Sequence, residues 1–203
     1  MSCAECPEVF SSGLEGVALQ IEVDTRFPNF ECEGCSISGY SPGKVEPGEN
    51  VIFLTIHPIH YDDKTGVLSP VAFEQLTKND LSLLRQVHAT RDQFDDVLSA
   101  LVNRGSEKVG RSVDQCCLLS VDAIRATEDT AGRVFGVYDT AIEKLPAHAS
   151  VFVRKDYLSD KGTRLEARRL ALTVFEPHLV PVATVRSSAE PSDEAESEES
   201  GAA

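Results

Sequence analysis

The sequence predicts an α+β fold: a mixed or antiparallel central sheet with two main helices, plus an N-terminal zinc knuckle. Three observations carry that prediction. Short β-branched runs recur without the regular strand–helix rhythm of a parallel α/β protein. Two longer stretches follow helical spacing. Two C-x2-C pairs, Cys3 with Cys6 and Cys32 with Cys35, lie near the start with 25 residues between them. At 203 residues, 41% of them hydrophobic, the chain suits one domain with a real core.

Along the chain, Val17 to Val23 (VALQIEV) alternates apolar and polar residues, the pattern of a half-buried strand. The Gly/Pro-rich stretch Gly39 to Gly48 predicts turns and a soft boundary after a cysteine-rich segment, residues 1–40. Val51 to Ile56 (VIFLTI) reads as a buried central strand. Ser69 to Gln86 predicts one or two short helices, the second starting near Asn79 or Asp80. Thr90 to Gly105 is the clearest helix. Thr90 and Gln93 have capping-box spacing, Phe94, Val97, Leu98, Leu101 and Val102 form one stripe, and Gly105 suits the C′ position.

Cys116 to Val121, Val134 to Tyr138 and Ala149 to Val153 read as further strands, with a helical turn at Asp122 to Ala126. Ser159 to Phe175 is the second long helix. Leu179 to Val185 is strand-like, and Pro181 confines it to a sheet edge. These elements form an α+β domain over residues 45–186. Residues 187–203 hold six acidic and no basic side chains and predict a disordered acidic tail.

The formal charge is -14, from 33 acidic and 19 basic residues, and the chain without its tail carries -8. Such a balance argues against nucleic acid as the main partner. No apolar run reaches bilayer length and no basic amphipathic helix is apparent, so no membrane partner is expected. Met1 to Pro7 lacks the pattern of a signal peptide, which predicts a cytoplasmic protein. P-loop, dinucleotide-binding and nucleophile-elbow motifs are missing.

In a reducing cytosol, paired cysteines are more often metal ligands than disulfides. Two knuckles at Cys3, Cys6, Cys32 and Cys35 would supply the tetrahedral sulfur shell that zinc prefers, in a structural role. Unconnected thiols, or a redox disulfide within one pair, are the alternatives. Cys116 and Cys117 are adjacent, so a strand turns them to opposite faces, and at least one is expected to be a packed apolar residue.

His57, His60, Asp62 and Asp63 follow the central strand. Two imidazoles and two carboxylates there could hold a divalent metal or supply a general base with an orienting acid. The plainer account is that His57 caps the strand and the aspartates form a turn. Arg85, Asp139 and His148 could join the group, Arg85 neutralising an anion. The stretches Pro58–Asp62, Gly66–Phe73, Leu81–Arg85, Val137–Thr140 and Pro146–Ala149 together resemble a set of small bacterial proteins carrying PIHxD, GxLxPxxF, LSxxR, VYDT and PxHA motifs. That resemblance covers roughly residues 45–155 and implies no activity, cofactor or site. It does not extend to the N-terminal cysteines.

Two functions are therefore expected. One is a zinc-stabilised accessory protein that engages a protein partner. The other is a small hydrolase or transferase acting on an anionic substrate through His57, His60, Asp62 and Arg85, supported by Asp139 and His148.

Overall fold

A computed structural model of the chain describes residues 5–104 and 110–188. Its strands are β1 (Asn50–Leu54), β2 (Leu81–Arg85), β3 (Gln115–Ser120), β4 (Glu128–Asp129), β5 (Gly132–Arg133), β6 (Phe135–Asp139), β7 (His148–Val153) and β8 (Leu179–Pro181). The helices are α1 (Cys6–Phe10), α2 (Gly16–Arg26), α3 (Arg91–Asn103), α4 (Val121–Arg125), α5 (Lys161–Phe175) and α6 (Val182–Arg186). Six strands make one sheet in the order β6-β7-β2-β1-β3-β8, and β4 pairs only with β5. Each of these pairings is antiparallel, so the fold is α+β as the sequence predicts.

Alternation along the strands divides the core. Val51, Phe53, Leu83, Leu119, Val137 and Val151 face one way and pack with Ala167, Ala171 and Phe175 of α5. Those three lie at i, i+4 and i+8, and the two alanines let the helix approach the sheet closely. On the reverse face, Ile52, Leu54, Leu84 and Cys116 pack with Phe94 of α3 and with Val182 and Val185 of α6. The β6–β7 half of that reverse face is covered separately. There, Tyr138 and Phe152 meet Cys6, Val9, Val23, Phe27 and Phe30 from the start of the chain.

Residues 28–37 run along the edge of β6. Glu33 accepts a hydrogen bond from the Val137 amide and pairs with Arg125 and Arg133. Phe30, at φ 61°, drops its ring onto Gly136, where a Cβ would meet Phe30 Cγ at 2.8 Å. Only glycine leaves room for that ring. The opposite edge, β8, is three residues long and ends in Pro181. This matches the edge position expected for it, although the chain turns into α6 at Val182 instead of extending to Val185.

Two elements differ from the sequence reading. Val17 to Val23 is not a strand but part of α2. Its apparent alternation misleads because the polar Gln20 is buried together with Val23, while Ile21 is 41% exposed. The Gln20 amide donates to the carbonyls of Leu76 and Asn79, and its oxygen accepts from the Val153 amide. Leu81 to Arg85 is not helical either. It is β2, and its run of leucines has the length at which a buried strand and a helix cannot be separated by periodicity. The α3 capping box forms as expected, with Thr90 and Gln93 each accepting from the other's amide. Gly105 and the acidic tail from residue 189 onward lie outside the described residues.

Candidate functional site

The six expected catalytic residues do not converge. β1 and β2 are antiparallel, with Val51 opposite Arg85. His57, His60 and Asp62 follow the far end of β1, whereas Arg85 and Asp139 meet near its beginning and His148, at the same end, lies on the reverse face of the sheet. Six residues of extended chain separate Val51 from His57, about 20 Å at the usual rise of a strand.

At the far end each residue has a structural task. His57 is exposed, and its backbone exchanges two hydrogen bonds with Ser112, at 2.9 and 3.1 Å. His60 Nδ1 accepts from the Ile56 amide at 3.1 Å while the ring stacks on Phe53. Burial, and secondarily Arg111, hold its pKa down to about 4, so the ring is neutral at pH 7. Asp62 accepts from the amides of Thr65 and Lys64 and from the Thr65 hydroxyl, and those donors lower its pKa. It shapes a turn, the plainer of the two accounts above.

His60 gives a stability prediction. Its folded pKa lies below the ordinary value of 6.5, so between pH 6.5 and about 4 the unfolded chain binds a proton that the folded chain refuses. Stability is expected to fall as pH drops through that window. A His60→Phe variant should show a shallower fall in melting temperature between pH 6.5 and 4, and an unchanged slope would contradict the assignment.

Arg85 is 1% exposed, and its guanidinium is held by the 43–49 loop. Nε and Nη2 grip Glu49 at 2.8 and 2.6 Å, Nη1 reaches the Gly43 carbonyl at 2.6 Å, and Nη2 reaches the Lys44 carbonyl at 3.0 Å. Burial pushes the Glu49 carboxyl up, but Arg85 and the Glu46 amide outweigh it and the net shift is downward. Asp139 Oδ1 lies 3.7 Å from Arg85 Nη1, and its Oδ2 accepts from Ser36 at 3.1 Å. Arg85 therefore anchors the 43–49 loop instead of meeting an anionic substrate.

The cysteines are also resolved differently from a zinc shell. Cys6 and Cys32 form a disulfide across the two pairs, and Cys35 is disulfide-bonded as well. Cys3 lies outside the described residues. In this oxidised state Cys6, Cys32 and Cys35 offer no thiolates, so the expected zinc shell does not fit them. Among the described residues no group of three or more His, Cys, Asp or Glu could hold a metal ion. Cys116 and Cys117 are buried on opposite faces, and burial pushes their thiols up to about 11 and about 12, which leaves them inert at pH 7.

His148 is the exception among the six. It shares the reverse face of β7 with Ser150 and Phe152, and it opens on a cleft of about 600 Å³ between that face and the N-terminal segment. Pro7 and Phe10 of α1, Leu14, Leu19 and Ile37 form the apolar walls. A row of hydrogen bonds crosses the floor. His148 Nδ1 lies 2.9 Å from Thr140 Oγ1 and 3.1 Å from the Thr140 carbonyl, Thr140 Oγ1 lies 2.7 Å from Ser150 Oγ, and Ser150 donates to Asp80.

The row has one direction. A carbonyl can only accept, so Nδ1 carries a proton. Ser150 gives its hydrogen to Asp80 and must accept from Thr140, which in turn accepts from His148. With Nδ1 turned to the row, Nε2 is the ring nitrogen left to meet a ligand, as in other sites where a hydrogen bond orients an imidazole. Sequence reasoning named His148 but missed Asp80 and Ser150. The only signal was the i, i+2 spacing of His148 and Ser150 on one strand. Asp80 arrives through the β2–β7 register, in which Ser82 faces Ser150.

Compared with family models, with curated proteins and with solved structures, the chain matches none. Among the described residues no helix is long and apolar enough to cross a membrane.

Proposed function

We propose that this protein binds a small organic molecule in the cleft over β6 and β7, with His148 Nε2 as the acceptor that orients it. The observation that carries this reading is the directed row from His148 to Asp80 on the floor of an apolar-walled cleft. A recess with mostly apolar walls and a few convergent polar groups is the usual form of a ligand site. The expected hydrolase keeps only His148 in this reading, while His57, His60, Asp62, Arg85 and Asp139 serve the fold.

A fragment screen followed by amide chemical shifts tests the proposal. Hits should perturb Thr140, Ser150 and Ile37 together, and His148→Ala should weaken them about tenfold, the worth of one good buried hydrogen bond. Hits that map elsewhere, or that ignore His148→Ala, would overturn it. The zinc-dependent accessory role becomes a proposal for the reduced chain alone, since it requires opening the Cys6–Cys32 bond. That bond also leads us to favour an oxidising compartment over the cytoplasm expected from the sequence.

A further inference from the structure

We infer that the molecule taken by this cleft is a hydrophobic amine, a protonated amino group on an alkyl or aryl body. The inference rests on the cleft being the binding site, and it follows from the charges that surround it. Glu15 and Asp80 both line the cleft, and no Lys or Arg does so among the described residues. Neither carboxylate is in an ion pair among the described residues. Glu15 holds the N-cap position of α2, yet its side chain makes no capping hydrogen bond. Asp80 accepts one hydrogen bond, from Ser150, and that donor is neutral.

The positive end of α2 also faces this region and offsets part of one carboxylate, about half a charge. Two full negative charges outweigh it, so an anion entering the cleft meets net repulsion. A cation finds the carboxylates of Asp80 and Glu15 in the lining beside the His148 ring, acceptors suited to the donors of an ammonium group. The apolar part of the ligand is set by the mouth. Leu14, Tyr40 and Ile142 line the cleft and remain 39%, 54% and 53% exposed, which gives it an apolar rim. Phe10, stacked at 5.7 Å on Phe152, adds an aromatic wall, and aromatic faces attract ammonium groups. An anionic substrate, as expected from the sequence, is disfavoured by the same charges.

The test uses the full chain and matched triplets: a primary amine, an alcohol and a carboxylate on the same phenylalkyl or alkyl body. Binding is read from amide shifts at Thr140, Ser150 and Ile142. The amines should bind at least tenfold more tightly than the alcohols, and the carboxylates more weakly still. Raising the salt concentration should weaken the amines alone. Glu15→Gln, at an exposed position that leaves the fold undisturbed, should weaken amine binding severalfold and leave the alcohols unchanged. Asp80→Asn, which also alters the row that ends on it, should weaken the amines by a larger factor than it weakens the alcohols. Equal binding across a triplet, or amine binding indifferent to Glu15→Gln and Asp80→Asn, overturns the amine and leaves the cleft as a site. Triplets that all fail to perturb the cleft overturn both.

Discussion

Replacing Arg85 by Met is expected to lower the unfolding free energy by about 3–5 kcal/mol, the range for removing one partner of a buried ion pair. The loss comes less from the missing guanidinium than from what it leaves behind. Glu49 would keep a side chain only 11% exposed without its guanidinium partner, and Asp139, fully buried, would lose the cation 3.7 Å from an Oδ1 that has no hydrogen-bond donor among the described residues. The Lys44 carbonyl would lose its guanidinium donor as well, and the Gly43 carbonyl would keep only the Ser41 hydroxyl. Urea unfolding measures the effect. A second variant separates the two sources: Arg85→Met with Glu49→Leu should recover part of the loss, because one stranded charge is removed with its partner. A loss under about 1 kcal/mol, the worth of an exposed pair, would show that water reaches this cluster.

The double substitution Cys6→Ser and Cys32→Ser is expected to cost about 3 kcal/mol. The bridge closes a loop with a sequence separation of 26, and chain-entropy arguments place such a loop between two and four kcal/mol (roughly). The bridge also ties α1, a wall of the cleft, to the segment that carries Phe30 and Glu33. Unfolding in urea with and without a dithiol reductant provides the measurement. Equal midpoints for the native and doubly substituted chains would mean that the packing of Phe27, Phe30 and Val9, with the Cys35 bond intact, holds the N-terminal segment in place without the Cys6–Cys32 bridge.

Local signals were legible where they were self-contained. The Thr90–Gln93 box and the stripe Phe94, Val97, Leu98 and Leu101 lie within one helix, so their spacing specifies them, while Val102, expected to extend the stripe, stays 40% exposed. The alternation that separates Cys116 from Cys117 is likewise a property of one strand. The failures involve partners distant in the chain. Gln20 is buried because Leu76, Asn79 and Val153 satisfy its amide, and nothing near residue 20 announces them. The cysteine pairs were visible, but which sulfur meets which is not encoded in their spacing. The site divides in the same way. His148 stood out as a residue type, whereas the row it belongs to joins residues 80, 140, 148 and 150 through strand register.

The two borders of the sheet have a consequence for association between molecules. An open strand is a template for another chain, and proteins avoid this by shortening, covering or interrupting such strands. Here one border is three residues long and closes on a proline. On the other, the Glu33 carboxylate occupies an amide that an incoming strand would need, with Phe30 seated beside it. The N-terminal segment thus acts as a stopper as well as a cleft wall. Loosening it would bare β6 to a second molecule and open a route to strand-paired assemblies that the intact chain is built to refuse.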